Sequence, residues 1–185
     1  AEYGLPLIED AAEALGSTYL EQPCGSFGPA AAVSFNNNKI VTTNGGGAVL
    51  TNDAWIQAKA WTMATTARVP HPWLMEHSEL AWNYRMGNVN AALGLPQLDR
   101  LGVLVEAKRR LAVRYAAAFA GIGVQSFIER ERCRSNYWLN AIMLRGHPDE
   151  PTRDDVLTAL TADGIACRAL FTPLHELPFY RHCPR

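Results

Sequence analysis

One lysine stands among amides, hydroxyls and glycines in A-A-V-S-F-N-N-N-K-I-V-T-T-N-G-G-G-A-V-L-T, residues 31–51. This residue, Lys39, is the first candidate for chemistry. Of the 17 basic residues only three are lysines, and the other two, Lys59 and Lys108, lie in helix-like, charged surroundings. A lysine in a pocket can lose its proton by desolvation and attack a carbonyl as an amine, forming a Schiff base. Arginine stays protonated and cannot. Upstream, L-P-L-I-E-D-A-A-E-A-L-G, residues 5–16, is an apolar run ending in an acidic residue, Asp10, with Glu13 three residues on. A loop cation and a strand-end carboxylate capping a turn are the plain alternatives for Lys39 and Asp10. The Gly45–Gly47 triplet is not a phosphate loop, because no Lys-Ser or Lys-Thr follows it.

The elements that must position these residues can be read from the apolar patterning. Leu5 to Glu9 reads as a strand, followed by helix-like residues Ala11 to Leu15 that end at Gly16. Ser17 to Leu20 and Cys24 to Phe27 flank a Glu-Gln-Pro turn, as in a hairpin. Ala30 to Phe35 and Ala48 to Leu50 are strands on either side of the Lys39 loop. Asn52-Asp53 is a capping signal for a helix to about Ala67. Residues 71–79 read as a loop, and Asn88 to Phe119 as a long helical stretch, broken or kinked at Gly94 and Pro96. After Gly121-Ile122-Gly123 the composition changes. Tyr137 to Leu144 reads as a strand, Thr152 to Ala162 as an amphipathic helix capped by Thr152, and Ile165 to Leu170 as a further strand.

Composition excludes several classes. The 185 residues carry 17 basic and 18 acidic side chains with no basic block, so neither nucleic acid nor an anionic membrane is an expected partner. No apolar run approaches membrane-spanning length, and the first residues lack a signal-peptide pattern. Cysteines 24, 133, 167 and 183 show no C-x-x-C pairing, so reduced thiols of a cytoplasmic protein are expected and a metal site is not.

Asp10 and Glu13, placed at this distance before S-F-N-N-N-K, make the chain resemble the sugar aminotransferases of the DegT/DnrJ/EryC1/StrS type. This is a pyridoxal phosphate family of fold-type I, and the resemblance spans nearly the whole chain. It implies an α/β fold: part of a large domain with a mixed, mostly parallel sheet, residues 1–121 with the long connecting helix, and the start of a small α/β C-terminal domain, residues 122–185. Relatives are roughly twice as long, so the chain is expected to be an internal fragment, inactive alone. By resemblance Asp10 pairs with the pyridine nitrogen of pyridoxal 5'-phosphate, and Glu13 contacts its ring hydroxyl. Ser34 binds its phosphate, and Lys39 holds the cofactor and shuttles the proton. The stretch H-S-E-L-A-W-N-Y-R-M-G-N, residues 77–88, matches a signature crossing a dimer interface. There Asn83 reaches the phosphate of the neighbouring subunit's cofactor, and Arg85 and His77 are candidates for an anionic group, the interface or substrate. Many relatives carry lysine where Thr172 stands, and His175 gains no role.

The function implied is transfer of an amino group, with glutamate the expected donor, to C4 of a nucleotide-linked 4-keto-6-deoxy sugar. The motifs most resemble enzymes acting on UDP-4-keto-6-deoxy-N-acetylhexosamines for bacillosamine- or legionaminic-type surface-glycan sugars. The active sites would be shared within a homodimer. Enzymes of the GDP-perosamine type and C3-aminating relatives share most of these residues. A 3-dehydratase of the same fold would carry histidine in place of Lys39, and a non-catalytic binding or regulatory member would be expected to lose Lys39 or Asp10. Both are present.

Overall fold

The computed structural model describes residues 3–148 and 150–183, which fall into two compact units. The first comprises Ala1–Arg114 with Ile128–Leu139, and the second Tyr115–Phe127 with Asn140–Arg185.

The first unit is built on a three-stranded mixed sheet. Strand β1 (Ile8–Asp10) is followed by the short hairpin of β2 (Thr18–Tyr19) and β3 (Gln22–Pro23), then by β4 (Ala30–Ser34) and β5 (Gly47–Leu50). β4 is central, parallel to β1 and antiparallel to β5. Side chains alternate across a strand, and in β4 Ala31 and Val33 are buried whereas Ala32 is exposed. On the buried side of β1, Glu9 accepts hydrogen bonds from the amides of Gly25, Phe27 and Gly28. Burial works to raise its carboxyl pKa, but these three N–H groups outweigh that effect and hold it below its ordinary value. Residues 11–15 form isolated turns rather than a helix: the Asp10 carboxylate accepts from Ala12 N, Ala14 N donates to the Ala11 carbonyl, and Gly16, at φ +83°, redirects the chain. So short a segment has too few intrahelical bonds to propagate.

Helix α1 (Ala54–Ala64) starts as the sequence signals, with the Asp53 carboxylate accepting from the amides of Trp55 and Ile56. It stops short of Ala67 because Thr66 and Ala67 adopt positive φ, 63° and 49°. The chain then turns into the ribbon β6 (Arg68–Val69) and β7 (Glu76–His77). The long helical stretch is two helices, α2 (Asn88–Asp99) and α3 (Leu101–Phe119), divided at Arg100 and not at Gly94 or Pro96. Gly94 is retained inside α2 because a Cβ there would meet Thr43 Cγ2 at 2.8 Å. α2 therefore lies directly against the loop that follows Lys39. Val105 and Ala112 of α3 complete the core with Ala11, Val41, Ala67 and Trp138.

The second unit pairs β8 (Val124–Ser126) antiparallel with β10 (Ile142–Leu144). Between them in sequence, β9 (Cys133–Arg134) belongs to the first unit, where it adds to β2. Of the expected strand over 137–144, only its last three residues pair, since Tyr137 takes a positive φ of 45°. Helix α4 (Arg153–Ala162) carries the expected Thr152 cap as a reciprocal capping box with Asp155. Residues 165–170 make no strand, because no described segment supplies a ladder partner. No helix among the described residues is long and apolar enough to cross a membrane.

Candidate active site

Two of the residues singled out in the sequence lie at adjacent strand ends. Asp10 is the last residue of β1 and is in register with Ala32 of β4, and Ser34 ends β4 two residues later. With a two-residue side-chain period, Asp10, Ala32 and Ser34 share one face of the sheet, opposite the buried Ala31 and Val33. Asp10 Oδ1 caps the following turn, and Oδ2 makes no hydrogen bond among the described residues. Ser34 Oγ accepts from Asn36 N at 3.3 Å.

Lys39 follows on the loop between β4 and β5. Its side chain is only 12% exposed, and Nζ lies 3.2 Å from Glu13 Oε1 and 3.7 Å from the centroid of the Trp138 ring. The ammonium is thus held between a carboxylate and an indole face, two groups that both attract a cation. Ala12, Glu13, Leu15, Ser34, Lys39 and Trp138 are among the residues lining a shallow depression.

The loop carrying the lysine is tied down on both sides. On one, α2 supplies Gln97, whose side chain accepts from Thr42 N at 3.0 Å and donates to the Thr42 carbonyl at 2.8 Å. Asn90 Nδ2 donates to the Thr43 carbonyl at 2.7 Å. On the other, Trp138 Nε1 donates to the Asn38 carbonyl at 2.6 Å. The turn back into β5 uses Asn44, Gly45 and Gly46 at φ of 62°, 137° and 84°, a conformation that asparagine and glycine tolerate.

Asn136 and Trp138 are neighbours of Glu13 and Lys39 that sequence reasoning missed. Asn136 is 4% exposed. Its Nδ2 donates to the carbonyls of Glu13 and Leu15 at 2.8 and 2.9 Å, and its Oδ1 accepts from Trp138 N at 2.9 Å. One amide thereby joins the loop of Glu13 to the residue packed on Lys39. The segment is anchored in turn by Glu129, which makes a two-pronged ion pair with Arg109 of α3, each N···O distance 2.8 Å, and accepts from Ser135 N. The Arg109 guanidinium, more than the opposing effect of burial, holds the Glu129 carboxyl below its ordinary value. The only signal available was the polar-aromatic run Ser135-Asn136-Tyr137-Trp138, about a hundred residues from Lys39.

Asn83, Arg85 and His77 are not brought to this depression. Their segment is fastened to the end of α1 by its backbone: Trp82 N donates to Met63 O, Thr66 N to Trp82 O, and Tyr84 N to Ala64 O. Asn83 forms an isolated bridge with Thr65, and its side chain is exposed with no hydrogen bond among the described residues. The Arg85 guanidinium lies 4.9 Å over the Trp61 ring. His77 Nδ1 is 2.7 Å from the Thr66 carbonyl, which can only accept, so Nδ1 carries the proton.

The donor set fits a pyridoxal cofactor. It offers one lysine whose side chain is mostly buried, one carboxylate with a free oxygen, one hydroxyl at a strand end, and an exposed sheet face between them. When bound, such a cofactor supplies an electron sink that stabilises negative charge at an amine-bearing carbon.

Comparison with known proteins gives the family. The family model described as DegT/DnrJ/EryC1/StrS aminotransferase matches residues 1–185. GDP-perosamine synthase of Vibrio cholerae is 37% identical over 183 residues, which are 98% of this chain and 49% of that protein. UDP-4-amino-4,6-dideoxy-N-acetyl-beta-L-altrosamine transaminase of Campylobacter jejuni (strain 81-176) is 30% identical over 183 residues, 97% of this chain and 48% of its own length. A crystal structure of DesI in the presence of its TDP-sugar product superposes with a TM-score of 0.86 at 32% identity, covering 99% of this chain and 46% of that one. The chain spans about half the length of the curated relatives it matches. It belongs to the DegT/DnrJ/EryC1/StrS aminotransferase family, whose enzymes depend on pyridoxal phosphate and share the fold-type I architecture.

Proposed function

We propose that the full-length polypeptide carrying this sequence transfers an amino group from an amino acid, glutamate, to C4 of a nucleotide-linked 4-keto-6-deoxy sugar. The observation that carries the reading is Lys39, its side chain 12% exposed and its amine held by Glu13 and Trp138 beside the strand ends that present Asp10 and Ser34. In this reading Asp10 holds the cofactor's pyridine nitrogen with its second oxygen, and the Ser34 hydroxyl with nearby amides holds the phosphate. Glu13 serves two partners, the Lys39 ammonium and the ring hydroxyl, and takes the lysine's charge whenever the amine is protonated. Lys39 Nζ removes the proton from the amine-bearing carbon of the donor and later returns one to the sugar carbon, acting as general base and then general acid. Trp138 and Leu15 keep bulk water from that amine. Asn83, on an exposed loop, serves the site of a second copy in a homodimer.

UDP-4-keto-6-deoxy-N-acetylhexosamine is the substrate to which the E-D-A-A-E-A-L-G and S-F-N-N-N-K motifs point. A GDP-linked 4-keto sugar is the second reading, favoured by 37% identity to a GDP-perosamine synthase against 30% to the altrosamine transaminase. Incubating the full-length protein with glutamate and each keto sugar, and weighing the products, separates the two. An amino sugar from neither would overturn the reading.

A further inference from the structure

We infer that Trp138 is a positioning residue for Lys39, fixing both the end of its side chain and the backbone that carries it. The inference rests on the reading of Lys39 as the cofactor-bearing amine, and extends it to a residue outside the strand-end cluster. Two independent contacts meet in this one side chain. The indole face lies 3.7 Å from Lys39 Nζ, measured to the ring centroid, and the ring N–H donates to the carbonyl of Asn38, the residue before the lysine, at 2.6 Å. A lysine has four rotatable side-chain bonds, so an amine that must meet one carbonyl repeatedly gains from a rigid wall beside it. Glu13 supplies charge but cannot supply that wall, since its own carboxylate side chain is half exposed. Trp138 can: it is 8% exposed and its backbone amide is fixed by the buried Asn136. The same Asn136 holds the carbonyls of Glu13 and Leu15, so the carboxylate and the indole reach Lys39 from one hydrogen-bonded unit.

A Trp138 that served folding alone would leave kcat and KM of the folded enzyme unchanged. With only three lysines in these 185 residues, the ε-methylene signals of the full-length protein, labelled with 13C-lysine and free of cofactor, can be assigned by lysine-to-arginine variants. The ring current of Trp138 is expected to move the Lys39 signal upfield of those of Lys59 and Lys108. Trp138→Leu should abolish the displacement and Trp138→Phe, which keeps an aromatic face, should retain part of it. In the loaded enzyme Trp138→Leu should lower kcat about tenfold with KM for the sugar little changed, and Trp138→Phe should recover most of the loss. An undisplaced Lys39 signal in the wild type overturns the inference, as does a Trp138→Phe enzyme no better than Trp138→Leu. Should the leucine variant fail to fold, the wild-type and phenylalanine spectra still decide. If the signal behaves as expected but the cofactor attaches to another lysine, the positioning stands and the proposed function falls, so the two failures are distinct.

Discussion

The Lys39 depression and the 82–85 stretch around Asn83 are both held in place by hydrogen bonds, but of different kinds. Around Lys39 the bonds are made by side chains: Gln97, Asn90, Trp138 and Asn136 each reach across tens of residues to hold a loop carbonyl or amide. Around Asn83 they are made by the backbone, which runs along the end of α1 and leaves Leu80, Trp82 and Tyr84 exposed at 85, 46 and 75%. The first arrangement specifies where particular atoms sit. The second fixes a loop's path while leaving its side chains available, as expected of a surface whose partners lie on another copy.

The comparison breaks most readily at the strand ends. Asp10→Asn should lower turnover by about a hundredfold or more, because the ring nitrogen loses its charged partner, whereas Glu13→Gln should change it only a few-fold. Steady-state kinetics of the two variants, each checked for cofactor content, tests this. A reversal would mean the roles of the two carboxylates are exchanged.

The loop is tested by complementation. Asn83→Ala and Lys39→Ala subunits should each be defective, but co-expressed and purified as heterodimers they should regain up to about half of wild-type activity, since one of the two shared sites is then intact. Heterodimers as inactive as the parents, with both parents dimeric, would remove Asn83 from the partner's site.

Smaller effects are expected where side chains merely brace the depression. Asn136→Ala leaves the carbonyls of Glu13 and Leu15 without their donor and should cost roughly 2–3 kcal/mol, read as a lowered denaturation midpoint at unchanged slope. A cost near zero would mean that water replaces the amide without penalty.

The smallest effect is a dependence on acid. The folded-state pKa of Glu129 lies below its ordinary value of 4.5, so its stabilising contribution is complete above that pH and is lost as pH falls through the folded-state value. With the pair partly solvated, about 1 kcal/mol is at stake. Glu129→Gln should flatten this part of the stability–pH profile below 4.5 and leave the rest unchanged. An unaltered acid limb would assign the loss to other carboxylates.

Much of the candidate site could be picked out in the sequence because its residues stand out locally. Lys39 is set among asparagines and glycines, Asp10 ends an apolar run, and Asp53 and Thr152 stand where helix caps are expected. Asn136 and Trp138 were not legible, since nothing in Ser-Asn-Tyr-Trp records that the chain returns past β2 to a loop a hundred residues earlier. Gly94 and Pro96 misled for a related reason. They look like breaks by propensity, but Gly94 packs against Thr43 inside α2, and the helical stretch divides at Arg100 instead. The expected strand at 165–170 shows the converse, an apolar run that remains unpaired because pairing depends on a second segment.

The central claim is that Lys39 is the amine that carries the cofactor, and one measurement addresses it directly. Full-length protein loaded with pyridoxal phosphate should be reduced with borohydride, digested, and its lysine peptides weighed. The account predicts the cofactor's mass on the peptide containing Lys39, with Lys59 and Lys108 unmodified and no fixed cofactor in Lys39→Ala. Cofactor fixed to Lys59, to Lys108, or to a lysine outside these 185 residues while Lys39 stays unmodified would contradict it.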